Sequence, residues 1–117
     1  MNLGIWHPGQ NFAGASQVKL RGLPTGCATG DFKLTVVANV PGAKKIVTDM
    51  NLGIRDNGYY LIWRRSRNSK RVTVTVPVSQ IIRPSIAKPY LLQIEVQRGT
   101  RAPLKRTVSF GLCQGNY

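Results

Sequence analysis

Arg64, Arg65, Arg67, Lys70 and Arg71 put five cations into an eight-residue window that contains none of the chain's four acidic residues. A cluster this dense creates a local field that attracts anions. Arginine adds a planar fork that grips a phosphate or carboxylate through two parallel hydrogen bonds. A second group, Arg98, Arg101, Lys105 and Arg106, lies toward the C-terminus, and Lys44-Lys45 mark a third position. Cations at several expected turns point to a broad basic surface rather than one pocket. The residues of the first two groups are the candidate anion- or partner-binding set. The competing reading is a solvated fringe of charge that keeps strand edges from pairing between molecules.

The same inventory offers little for catalysis. His7 is the only histidine, and Asp31, Asp49, Asp56 and Glu95 are the only carboxylate side chains. A serine triad would need His7, one of these acids and a serine to converge, and no nucleophile-elbow pattern occurs. Paired carboxylates would have to meet through the approach of separate strands. His7, Cys27 and Cys113, spaced 20 and 86 residues apart, do not form a zinc-binding pattern. No glycine-rich nucleotide loop is present. The expectation is a non-enzymatic protein with no cofactor and no metal.

Composition bounds the rest. The 117 residues suit one domain, 1–117, and the 42% apolar content suits an ordinary core. A net charge of +13 and a pI near 10.8 imply self-repulsion that an acidic counter-surface would relieve. No apolar run approaches the roughly 18 residues of a membrane span. Met1 to Gly9 shows neither the basic n-region nor the apolar h-region of a signal peptide, so the expected location is a virion or the cytoplasm. Cys27 and Cys113 could pair if they meet in the fold, which spacing does not show, but a reducing compartment favours two buried thiols.

The elements that must position these residues show a period of two, with no helical stripe. Phe32, Leu34, Val36, Ala38 and Val40 alternate along one segment, and Ile46, Thr48, Met50, Leu52 and Ile54 along the next. Val72, Val74, Val76 and Val78 form a third row, and Tyr90, Leu92, Ile94 and Val96 a fourth. Val108, Phe110 and Leu112 form a fifth, while Gln17 to Arg21 and Met1 to Ile5 read as short strands. Asp56-Asn57-Gly58 reads as a tight turn. Arg98 to Pro103 reads as a loop, and Ser79 to Pro89 as a crossover between sheets. The segment Met1 to Ile5 recurs letter for letter as Met50 to Ile54, a coincidence of the narrow strand alphabet. The predicted fold is all-β: a single-domain antiparallel β-sandwich, Ig-like or jelly-roll-like, with a small β-barrel as the alternative.

The strand before the basic window is apolar on both sides, with Tyr59, Leu61 and Trp63 on one face and Tyr60 and Ile62 on the other. The aromatics could stack bases, but the ribonucleoprotein signature of RNA-binding sheets is absent. If one row fills the core, the other needs a covering surface, which makes Tyr60 and Ile62 the candidate subunit contact. Two functions of different classes fit. The favoured one is a structural or assembly subunit, forming a homo-oligomer or docking on a larger acidic protein lattice such as a virion capsid, tail or fibre. The alternative is a nucleic-acid-binding β-barrel module that uses a hairpin carrying Arg64 to Arg71 as a phosphate clamp.

Overall fold

Alternating apolar residues become strands almost wherever the sequence shows them. The computed structural model describes residues 9–12, 17–24, 27–55, 58–80 and 90–110. Its strands are β1 (Gly9–Phe12), β2 (Val18–Arg21), β3 (Phe32–Ala38), β4 (Lys45–Arg55), β5 (Gly58–Arg67), β6 (Arg71–Val76), β7 (Tyr90–Arg98) and β8 (Arg101–Phe110). One 3-10 turn, Val78–Gln80, follows β6 and is the sole helical element among the described residues. The strands form a five-stranded sheet ordered β1-β8-β7-β4-β5 and a three-stranded sheet ordered β2-β3-β6. All their pairings are antiparallel. The two sheets pack face to face as an open β-sandwich, and the described strands do not close into a barrel.

The core lies between the sheets. Val18, Leu34, Val36, Ala38, Val72, Val74 and Val76 project from the three-stranded sheet, and Ile46, Met50, Tyr90, Leu92, Ile94, Val96, Val108 and Phe110 from the five-stranded one. Branched side chains suit this setting because their stiff χ1 angles pack well on a pleated surface. Phe32 meets Phe110 edge to face, with ring centroids 5.9 Å apart. The chain crosses between sheets from β1 to β2, from β3 to β4, from β5 to β6 and from β6 to β7. The last crossing is the one expected around Ser79 to Pro89. Its start is held by Asp31, whose carboxylate accepts from the Ser79 backbone N–H at 2.8 Å and hydroxyl at 3.2 Å.

Several sequence expectations need correction. β5 and β6 do not pair, so Arg64 to Arg71 is not a hairpin; the chain arches from one sheet to the other through Asn68-Ser69-Lys70. The reason is the partner choice of each strand: β5 pairs with β4, and β6 pairs with β3. Arg98 to Pro103 is largely strand, with only Gly99 and Thr100 in the turn. Ala102 and Pro103 together oppose Gln97, a bulge at which proline's missing N–H is tolerated. Arg98 donates to the Ala102 carbonyl there through Nε at 3.2 Å and Nη2 at 2.7 Å. Cys27 is exposed and disulfide-bonded, which overturns the expectation of two buried thiols. Cys113, the Met1–Ile5 strand and repeat, Leu112 and the Asp56-Asn57 turn lie outside the described residues.

Gly22 ends β2 with φ +90°, and a Cβ there would collide with the backbone carbonyl oxygen of Lys33. Both the left-handed conformation and the close approach of β3 demand glycine. Gly22→Ala should therefore destabilise the fold by at least about 1–2 kcal/mol. Urea denaturation would detect this as a lower midpoint at unchanged slope.

Candidate functional site

The cationic window occupies the edge of the five-stranded sheet and the arch beyond it. Arg64, Arg65, Arg67, Lys70 and Arg71 are all exposed, as their charge requires. Arg64 faces outward beside its cross-strand partner Asp49, with Nε 3.6 Å from Oδ1. At that distance, on an exposed side chain, the pair orients more than it stabilises. Arg65 and Arg67 pair with Thr48 and Ile46 and line a small cavity with Val72 and Val74, where the two sheets part. The Arg65 guanidinium lies over the Trp63 ring, 4.8 Å from its centroid, a cation–π contact that restrains the head group. Lys70 closes the arch: its carbonyl accepts from the Ala38 N–H at 2.8 Å.

A bulge in β5 rearranges the apolar residues before this window. Met50 pairs with Trp63 and Asn51 with Leu61, leaving Ile62 as the extra residue. Simple alternation fails at that point. Trp63 and Ile62 both pack against the core, while Leu61 is 48% exposed. The assignment of Ile62 to a free subunit-contact face is therefore corrected, and among the described side chains of this strand Leu61 is the large apolar one presented to solvent. Tyr60 pairs with Leu52 through the backbone, and its side chain lies outside the described residues.

The second group disperses. Arg101 and Lys105 are exposed, and Arg98 is half-buried at the bulge. Arg106 is no surface anchor: it pairs with Ile94 on the core face and is only 8% exposed. Its Nη1 donates to the Val18 carbonyl oxygen, tying β8 of one sheet to β2 of the other. Burial lowers its pKa below that of an ordinary guanidinium, because the charged form loses its hydration. Because the fold disfavours the charged form, stability would rise only as pH climbs toward the unfolded value, which leaves it flat across ordinary pH. Lys44 is exposed and Lys45 half-buried.

Two further surfaces were not singled out by sequence. On the outer face of the five-stranded sheet, a pocket of about 180 Å³ is lined by Asp49, Glu95, Gln93, Arg64, Lys105 and Thr107, among others. Asp49 and Glu95 are diagonal neighbours there, since Asp49 pairs with Gln93 and Val47 with Glu95. Each is engaged, Asp49 by Arg64 and Glu95 by Gln97 Nε2 at 3.0 Å.

The outer face of the three-stranded sheet carries Lys19, Arg21, Lys33 and Arg71, all exposed, with Thr73 and Thr75. Only Arg71 of these cations belonged to the candidate set. The missed signal was the simple interleaving of Lys19, Arg21 and Lys33 with the buried Val18 and Leu34 and the half-buried Leu20 and Phe32. Among the described residues no group of three or more His, Cys, Asp and Glu could hold a metal ion, and no helix is long and apolar enough to cross a membrane. No protein-family model, curated protein or solved structure matches the chain.

Arg106→Ala should cost about 2–4 kcal/mol, since it removes a buried charged donor and opens a cavity. Arg106→Met keeps most of the volume and should cost less; chemical denaturation ranks the two. On β5, Ile62→Ser should lower stability by about 1–2 kcal/mol, whereas Leu61→Ser should stay within about 0.5 kcal/mol. Thermal melts of the two variants test the bulge directly.

Proposed function

We propose that this protein is a non-enzymatic structural or assembly subunit that docks its cationic β5 edge onto a larger acidic protein assembly, such as a virion capsid, tail or fibre. The observation that carries this reading is the edge itself. Arg64, Arg65 and Arg67 stand exposed along a strand border that has no partner among the described strands, two of them oriented by Asp49 and Trp63. An edge strand offers a row of free backbone donors and acceptors, and flanking cations select a partner of opposite charge while repelling a second copy. Leu61 adds exposed apolar area on the same strand. Burying that area against a partner contributes a share of the binding that salt does not screen.

Poly-glutamate can stand in for the acidic lattice. Titrated with it after nuclease treatment, the parent should form complexes that light scattering reads well above the 12.9 kDa of the single chain. Replacing Arg64, Arg65 and Arg67 together by Gln should weaken the complex by about 1.4–2.8 kcal/mol in all, roughly tenfold to a hundredfold. The melting temperature should hardly move, because exposed substitutions stay within about 0.5 kcal/mol each. A triple variant that binds as tightly as the parent at low salt would reduce the edge to a solubilising fringe.

A further inference from the structure

We propose that the outer face of the three-stranded sheet binds the sugar–phosphate backbone of a single nucleic-acid strand without reading its bases. This surface is separate from the β5 edge, and its binding does not depend on the assembly role.

The argument begins with register. Lys19 pairs with Val37, which pairs with Arg71; Arg21 pairs with Thr35, which pairs with Thr73; Lys33 pairs with Thr75. These residues share one face because alternate residues of a strand point the same way. Strands about 4.8 Å apart and same-face residues about 6.8 Å apart spread the cations over a shallow platform roughly 10 Å by 14 Å. Between them lie hydroxyls, with Thr35 Oγ1 and Thr73 Oγ1 3.0 Å apart. Lysine, arginine and threonine are donors to phosphate oxygens.

Among the described residues, Asp31 is the acid nearest to these cations in sequence, two positions before Lys33. Asp49 and Glu95 line the outer face of the opposite sheet, and Asp31 is engaged by Ser79. The sandwich is thus polarised among the described residues, with a mixed-charge face on one side and a face dominated by cations on the other. Charge held on one face with no internal partner is complementary to a polyanion.

The composition of the face selects among polyanions. Protein interfaces anchor on buried aromatic and aliphatic side chains, and membrane-surface binding inserts apolar ones. This face offers only Val37, which is half-buried. It carries no aromatic ring for base stacking, so contacts fall on phosphate and sugar. A three-stranded face does not enter the major groove, which admits a helix or a two-stranded ribbon, so a flexible single strand laid across the sheet is the fitting geometry.

The test is fluorescence anisotropy with a labelled mixed-sequence single-stranded RNA, over a salt series, on the full chain. Replacing Lys19, Arg21 and Lys33 together by Gln should reduce the log–log salt slope by about 2, since each phosphate neutralised on a single strand contributes roughly 0.7. The Arg64, Arg65 and Arg67 to Gln variant removes the same charge from the β5 edge and should change the slope less. Homopolymer strands of different base should bind alike, and poly-glutamate of equal charge should compete poorly. Equal losses from the two triple variants would mean that net charge alone drives binding and would overturn the proposal. Strong base preference, or full competition by poly-glutamate, would do the same. Should the face variant melt early, Lys33→Gln alone, on the central strand, carries the test through a slope change of about 0.7. The assembly role is judged separately, by light scattering with poly-glutamate.

Discussion

Packing of one apolar row against another, across the gap between two sheets, is the constraint from which the remaining structure follows. Because side chains on a strand alternate, placing Leu34, Val36, Val72, Val74, Leu92 and Ile94 inward leaves their neighbours no choice but an outer face or an edge. In a chain with seventeen cations and four acids, those neighbours include Lys33 and Arg71 beside Thr35, Thr73 and Thr75. The basic surfaces are therefore a by-product of core formation as much as a separate design. Where each one lies is decided by strand order rather than by local sequence.

Arg106 shows the same constraint from inside. It sits on the core face, where the register would otherwise place another Val or Ile, and it is accommodated through the Val18 carbonyl. That bond crosses from the five-stranded sheet to an edge of the three-stranded one. A buried cation is costly unless hydrogen-bonded, but a donor reaching across the gap fixes how the two sheets align in a way that an aliphatic side chain cannot. On the other side of the sandwich β5 and β6 leave the core edge to Arg65 and Arg67, whose heads remain exposed. One side is tied by a buried guanidinium and the other is fringed by exposed ones.

Much of the fold was legible because period-two alternation is a strong signal. Leu34, Met50, Val74 and Ile94 face inward with the described members of their rows, and the crossing after β6 falls where the prolines suggested. What could not be read was non-local. Partner choice separates β5 from β6, and nothing in Tyr59 to Val78 distinguishes a hairpin from an arch. A single extra residue, Ile62, reversed the side assignments of its own strand. The bulge at Ala102-Pro103 turned an apparent loop into strand. For the site, the local density of Arg64 to Arg71 was visible, whereas Lys19, Arg21 and Lys33 are scattered in sequence and become a cluster only through the pairing of β2, β3 and β6.

The segment Val72-Thr73-Val74-Thr75-Val76 is an edge strand among the described strands, bracketed by Arg71 and Pro77. Its composition is that of a strand ready to stack on copies of itself. The bracket interrupts such stacking locally, and the molecule's +13 charge opposes it at a distance. Under the proposed polyanion binding, colloidal behaviour would be linked to ligand loading. A polyanion that neutralises these cations removes the long-range repulsion, leaving Pro77 and the geometry of the bound state to keep neighbouring β6 edges apart. Solubility and binding draw on the same charges, so the chain is least protected against its own kind at the stoichiometry where its cations are fully matched.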